Sequence, residues 1–553
     1  MSCNRKYRRW TSHFSIAVCS RISFIHYMNE QPYRLTRHEF LKLISLMPLG
    51  IYLRPLLKLV KRAKDPNAKN TPALAPGASV IILVFDALSQ QHVSLYGYPR
   101  PTTPNLDAFA EKATVYHNHF STGTFTVPGT SSILTGMHPW SHRAFQLGGG
   151  IAPAHVDHTI FAALSSTHST LAYAQNKFAD QILYQAEENL DRHIHSWSFN
   201  REYASLYGAA VFDKDVRMAY AGLEDNLIQK GIGDDASLFF GPLYRLHMLW
   251  DRMQNRKKYR ANYPHGLPDA MSEFFTFPDV IDGAIHLLQG IQEPTLAYLH
   301  FFPPHEPSAP TAAFFNRFEN DGLKPPAKPI HDLSGTKYEP AKLKDERRFY
   351  DEYIASWDDE VGRLFKFIID SGLVENSYIL ITSDHGQLFE RGELGHWTSL
   401  IYNPIIHVPL IIRSPNQITR HDVHASTSSV DLLPTIAQLT GNPIPVWAEG
   451  KLLPNFGGEE EEGRSVFSMD AKSDSAFAPL RNYSMSLMRN RHRLTYYSYP
   501  EYDYERYEFY DLDADPDELK DLYSAQPSLA KAMQDELRQK ISEVNRPFQK
   551  NGL

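Results

Sequence analysis

Cysteine is nearly absent: the 553-residue chain has two, Cys3 and Cys19, and both precede Met28. The body after Met28 therefore has no disulfide, no thiolate metal site and no thiol nucleophile. Long clean apolar runs are absent too, which excludes a multi-spanning membrane protein. Positive charge is scarce beyond the start. Residues 1–70 hold 14 Lys and Arg against three acidic residues, while the whole chain carries −7, so the remainder carries −18. Such an anionic body lacks the basic footprint that non-specific nucleic-acid binding needs, and no nucleic-acid partner is expected. With 42% hydrophobic and 22% charged residues the chain is not disordered. Its length implies one large α/β unit with additions, or two domains.

The N-terminus is basic and then apolar. Arg34, Arg37 and His38 lead into a short apolar stretch from Phe40 to Leu53. That is the order of a targeting segment. It is similar to a twin-arginine-type export signal, with His38 in the second arginine position. No small-residue cleavage site is clear, which leaves room for a retained anchor; an amphipathic helix packed on the body is the plain alternative. Met28 is the more natural start. The expected location is exported or membrane-anchored and extracytoplasmic, with membrane association through this segment. Lys61 to Gly77 reads as a linker. The expected division is a targeting or anchor segment with linker at 1–74, a catalytic domain at 75–450 with an insertion at about 185–290, and a C-terminal subdomain at 451–553.

Three apolar, β-branched runs end in polar groups. Ser79 to Phe85 ends in Asp86, Ser377 to Ser383 in Asp384-His385-Gly386, and Thr295 to Phe302 in Pro303-Pro304-His305-Glu306-Pro307. Continuous apolar runs are the pattern of buried parallel strands, and open α/β sheets bind ligands at the carboxyl ends of such strands. Residues 345–372 show helical spacing at Tyr350, Ile354, Trp357, Val361, Leu364, Phe365 and Ile368, and stop at Gly372. The fold class expected is α/β, a large mainly parallel sheet sandwiched by helices, with a small C-terminal strand-plus-helix subdomain. That subdomain draws on Tyr- and Arg-rich strands at 482–499 and a polar helix around 526–544.

Carboxylates with an imidazole suit Zn, Mn, Ca or Mg rather than a thiophilic metal. Asp86, Asp384 and His385 are therefore candidate ligands, each with a helix cap or core hydrogen bond as its ordinary alternative. The segment from Thr122 to Gly136 places Pro128 where a helix can begin. A hydroxyl at such a start, beside a cation, can act as a nucleophile. Taken alone, Thr126 fits a plain N-cap better, and Thr124 is the fallback nucleophile.

Taken together, these blocks resemble the sulfatase family of the alkaline phosphatase superfamily. Asp86 to Tyr98 and Arg100 to Asp107 look like its N-terminal signature. Thr126-Val-Pro128 through Leu134-Thr135-Gly136 resembles its Cys/Ser-x-Pro-Ser-Arg…Leu-Thr-Gly motif. Pro304-His305-Glu-Pro307, Thr382 to Gly386, Gly395-His396, Val408 to Ile412, Ser429 to Thr435 and Tyr510 to Pro516 follow in the family's order, so the likeness spans roughly 78–525. Four positions depart from it. Thr126 cannot become formylglycine, Thr130 replaces the motif arginine, and Ala87 replaces the second Asp of a pair. The lysine often found after the Gly-His motif has no counterpart, with Leu400 nearby.

The resemblance implies a metal-dependent hydrolase or transferase acting on phosphate or sulfate esters. One divalent ion would be held by Asp86, Asp384, His385 and the Thr126 oxygen. Thr126 would be the nucleophile, with His305 and His396 binding ester oxygens or protonating the leaving group. The substrate would be a small anionic ester, or a lipid- or glycan-linked phosphoester or sulfate ester. A threonine nucleophile is similar to that of phosphoethanolamine transferases and lipoteichoic-acid synthases, which ranks phosphoryl chemistry above sulfate chemistry. The alternatives are a phosphodiesterase or phosphoethanolamine-type transferase proper, or a non-catalytic binding protein that keeps the fold. His92, His138 and His142 are expected in support or surface roles.

Overall fold

The computed structural model describes residues 77–200, 240–271, 273–291 and 294–549. The 1–74 segment and the middle of the 185–290 insertion lie outside the described residues. No helix among the described residues is long and apolar enough to cross a membrane.

Eight strands form the main sheet: β1 (Ser79–Phe85), β2 (Thr114–Tyr116), β3 (Ser169–Ala174), β4 (Arg192–Ile194), β5 (Thr295–Phe301), β6 (Ser377–Thr382), β7 (Leu410–Arg413) and β8 (His421–Val423). Their order is β8-β2-β7-β6-β1-β5-β3-β4. The centre is parallel, β1 pairing with β5 and β6, and β7 alone runs antiparallel to its neighbours. The expected α/β architecture is thus the one observed, as a mixed, mostly parallel sheet.

Alternation explains how both faces are filled. Ile81, Leu83 and Phe85 point into one core and Val80, Ile82 and Val84 into the other. Period-two side chains on a strand covered on both faces need apolar residues at every position. Helices α1 (Thr126–Thr135) and α2 (Lys177–Gln185) cover one face. Helices α3 (Phe277–Gln289) and α4 (Pro340–Asp370) cover the other. All seven positions of the predicted α4 stripe are buried. The helix starts before residue 345 because Pro340 opens its first turn, where no N–H is needed. Each fully buried aliphatic side chain contributes about 1.5–3 kcal/mol, so a charge at Ile82 would break this layer.

Register brings the three motif strands to one level. Val84 pairs with His300 on one side and Thr382 on the other. Asp86, His300 and Asp384 therefore meet at the carboxyl edge.

A second sheet is antiparallel: β9 (Val466–Asp470), β10 (Tyr483–Arg489), β11 (His492–Tyr499) and β12 (Tyr504–Asp511). Helix α5 (Pro527–Gln549) packs on it through Ala530, Met533 and Leu537. Strand β9 also docks on the loop before α1: Met469 N–H donates to Thr122 O at 2.8 Å. The tip of β10 meets the loop after His396, where Ser484 Oγ donates to Ser399 O at 2.6 Å.

A buried carboxylate pins this sheet to its surroundings. Glu508 on β12 faces His331 at 3.2 Å, accepts from Tyr402 OH at 2.7 Å and pairs with Arg506 at 3.1 Å. Burial pushes its carboxyl up, but His331, Tyr402 and Arg506 outweigh that and hold it at about 2, against an ordinary 4.5. A depressed folded value means stability present above pH 4.5 and lost as pH falls towards 2, about 3 kcal/mol in all. Glu508→Gln should therefore lower Tm clearly at pH 7, with the gap to wild type narrowing below pH 4.5. A gap that is constant from pH 7 to pH 3 contradicts this.

Candidate active site

Asp86 leaves β1 fully buried. Its Oδ2 accepts from Asn176 Nδ2 at 2.6 Å and faces His300 Nε2 at 3.2 Å, while Oδ1 has no hydrogen-bond partner. Asp384 is equally buried. Its Oδ1 accepts from the N–H of His385 (3.0 Å) and of Ala87 (3.3 Å), and its Oδ2 has no partner. Ala87 has φ of 60°, a left-handed conformation costing roughly 1–2 kcal/mol for a residue with a Cβ. Its carbonyl accepts from Tyr350 OH at 2.6 Å, which helps hold it there. Where the family pattern has a second carboxylate, this chain offers a backbone N–H to Asp384.

His385 donates from Nδ1 to Gly386 O at 2.9 Å, which turns Nε2 inwards. That nitrogen is 3.4 Å from Asp86 Oδ1, 3.7 Å from Asp384 Oδ2 and 3.4 Å from Thr126 Oγ1. Burial alone would pull the imidazole down, but Asp384 and Asp86 outweigh it and push it up to about 9. Burial, then the charge of Asp86, pushes the Asp384 carboxyl up. Burial also raises Asp86, but His305, His300 and His385 hold it well below the usual range.

Thr126 is the first residue of α1, and Phe125 occupies the N-cap with no side-chain cap bond. Its hydroxyl is thus not spent on capping. It faces His385 and accepts from Asn176 Nδ2 at 3.2 Å. The first intrahelical bond runs from Gly129 N–H to Phe125 O, so the Thr126 and Val127 N–H groups lie outside the helical ladder, at the positive end of the dipole. Thr124 is tied elsewhere, donating to Asp470 Oδ1 at 3.0 Å.

Gly129 lets α1 lie against Asp384: a Cβ there would stand 2.2 Å from the Asp384 carbonyl oxygen. Neither partner can swing away, since the obstacle is backbone. Gly129→Ala should cost about 1–3 kcal/mol of stability through overpacking and reduce activity by shifting Thr126. A melting temperature and a turnover rate equal to wild type would contradict the close packing.

His305 and His396 meet at the mouth, rings 4.7 Å apart. His305 donates from Nδ1 to Glu306 O at 2.7 Å, and its buried Nε2 has no partner. His396 Nδ1 meets Gln387 Oε1 at 2.9 Å, and Gln387 Nε2 donates to Glu306 Oε2. Burial, then His385 and His305, push His396 well below its ordinary value. His305, Glu306 and His396 lie close enough to hold a cation. Their Nδ1 atoms and the Glu306 carboxylate are already hydrogen-bonded, so the group is better suited to orienting two Nε2 atoms.

The Asp86, His300 and Asp384 group differs. Its ligand atoms lie within 4.8 Å of one another, fully buried, with two carboxylate oxygens unpaired. Buried carboxylate oxygens without a hydrogen bond are costly, and oxygens with an imidazole nitrogen fit a hard or borderline divalent cation.

The structure brings Asp86, Thr126, Asp384, His385, His305 and His396 to one pocket. Sequence reading missed Asn176, His300 and Gln387. A histidine inside a fully buried strand was the available signal for His300. His92 meets Asp351 at 2.5 Å, His142 meets Ser132 at 3.0 Å, and His138 stacks on Trp140, away from these contacts.

A buried acidic pocket beside a hydroxyl at a helix start, at the carboxyl edge of this sheet, defines the alkaline phosphatase-like class of ester hydrolases. The Sulfatase family model matches residues 78–442, and the chain belongs to that family. A second match, N-sulphoglucosamine sulphohydrolase, C-terminal, covers residues 392–547. The multifunctional alkaline phosphatase superfamily protein PehA of Trinickia caryophylli is 23% identical over 493 residues, 80% of this chain and 89% of that protein. The choline-sulfatase of Rhizobium meliloti is 22% identical, covering 76% and 77%. The solved phosphonate monoester hydrolase of Silicibacter pomeroyi shares the fold, with a TM-score of 0.59, 17% identity and coverage of 85% and 96%. The chain is an enzyme of the ester-hydrolase kind. These relatives lend no support to a threonine-nucleophile variant similar to phosphoethanolamine transferases and lipoteichoic-acid synthases.

Proposed function

We propose that the chain cleaves phosphate, phosphonate or sulfate esters by covalent catalysis through Thr126, with a divalent cation at Asp86, Asp384 and His385, joined by His300. The observation that carries this is the Thr126 hydroxyl, freed from capping and 3.4 Å from His385 Nε2, beside two unpaired buried carboxylate oxygens. When bound, the cation supplies positive charge that favours an ionised hydroxyl and a charged transition state. Asn176 holds the Thr126 oxygen and Asp86 in one arrangement. The Thr126 hydroxyl gives up its proton to water as its oxygen bonds to phosphorus or sulfur and the bond to the leaving oxygen breaks, and His305, with a proton on Nε2 as well as on Nδ1, protonates that leaving oxygen. Water, or an acceptor alcohol, then attacks the same atom, its proton passing to His305 Nε2, and the bond to the Thr126 oxygen breaks, that oxygen regaining a proton from water. The start of α1 stabilises the extra negative charge.

The names of the relatives support sulfate and phosphonate esters as substrate classes. Thr126 in place of a residue that yields formylglycine supports phosphoryl chemistry first. The test is a panel of an aryl sulfate, a phosphate monoester, a phosphodiester and a phosphonate monoester. Turnover of the phosphodiester or phosphonate above the sulfate is expected. A chain that cleaves only the sulfate reverses the ranking, and one that cleaves none removes the proposal. Extracytoplasmic placement through residues 1–74 belongs to the same proposal, as does the division at 450.

A further inference from the structure

Lys472 stands where the second sheet meets both active-site loops. It follows β9 by two residues. Its ammonium donates to the carbonyl of Thr398, two residues after His396, and lies 3.1 Å from Asp470. It is also 5.4 Å from the ring centroid of Phe125, the residue before Thr126. An ammonium has three N–H donors; Thr398 and Asp470 account for two, and one remains for a ligand. The side chain is 19% exposed, so the charge is partly withdrawn from water yet reachable. Trp397, which precedes Thr398, is 44% exposed, with its ring 6.1 Å from Phe125 and 4.9 Å from His396, which marks this side as the opening.

The pocket needs such a group. Thr130 stands in place of the motif arginine, and the lysine often found after the Gly-His motif has no counterpart, with Leu400 nearby; Thr130 and Leu400 are both buried. We propose that Lys472 is a substrate-binding residue, its ammonium taking a non-bridging anionic oxygen of the ester bound at Thr126. A fixed cation is thereby supplied from the C-terminal sheet, far along the chain from the motif block that lacks one. Asp470 sets its position, since the same carboxylate accepts from Thr124 and so links the lysine to the loop that leads into α1. The site then favours esters that carry a negative charge over neutral ones. This rests on Thr126 as the reacting residue.

The probe is inorganic phosphate, titrated calorimetrically into the full-length chain saturated with manganese, with sulfate as a second anion. Lys472→Met should weaken phosphate binding five- to fiftyfold, and Lys472→Arg should stay within threefold of wild type. Lys472→Gln removes the charge but keeps a donor for Thr398, so it repeats the test in a variant with the loop contact preserved. With a phosphodiester, Lys472→Gln should raise KM more than it lowers kcat. Phosphate affinity within twofold of wild type in both uncharged variants overturns the proposal, as does a wild-type chain that binds neither anion. Thr126→Ala separates the two readings. It should bind phosphate as wild type does while losing turnover; if it stays active, the nucleophile reading fails and the phosphate comparison still decides Lys472.

Discussion

Replacing Thr126 by alanine should lower kcat by at least about 10³-fold for every ester the wild-type chain hydrolyses, because the bond-forming oxygen is gone. The rest of the site should survive. Asp86, Asp384 and His385 keep their own hydrogen bonds, since none of the bonds to Asp384 Oδ1, Asp86 Oδ2 or His385 Nδ1 comes from Thr126. The lost hydroxyl bonds only with Asn176 and His385, so the stability cost should be about 1 kcal/mol. Thr126→Ser, which keeps the hydroxyl, should retain activity. Acid-quenched wild-type enzyme should show an added phosphoryl or sulfo mass on the peptide containing Thr126, and the alanine variant should show none. Full turnover in Thr126→Ala would sink the nucleophile assignment. Thr124 would not inherit the role without rearrangement, since its hydroxyl is bound to Asp470.

What could be read from sequence divides along a physical line. Asp86, Asp384 and His385 follow continuous apolar runs, and a run that must be buried on both faces announces where its strand ends. The helix start at Thr126 was visible through Pro128, although the N-cap turned out to be Phe125. Asn176 and His300 were not legible, because they reach the site through the register of β3 with β5 and of β5 with β1. Lys472 depends on two sheets docking, which no local pattern encodes. The absence of a motif lysine was visible; its replacement from another part of the chain was not.

The carboxylate pair offers the second large effect, and its sign is the informative part. Asp86 and Asp384 are fully buried, and one oxygen of each lacks a hydrogen bond; the His385 imidazole, 3.4 and 3.7 Å away, offsets only part of their repulsion in a medium that screens them poorly. Asp384→Asn keeps the Oδ1 acceptor for the Ala87 and His385 N–H groups and replaces the unpaired oxygen with an amide. In a chelator, this variant should therefore melt higher than wild type, by about 1–3 kcal/mol of stability. With manganese, zinc, calcium or magnesium the order should reverse. A cation at 100 times its Kd adds about 2.7 kcal/mol to the wild type, while the variant, short of one carboxylate, gains little. Turnover should be lost in the variant whichever ion is present. Differential scanning calorimetry with and without each ion reads both halves. A chelated Asp384→Asn that melts below chelated wild type would mean that the pair is satisfied without a cation. An equal gain with the ion in both proteins would place the cation elsewhere than between Asp86 and Asp384.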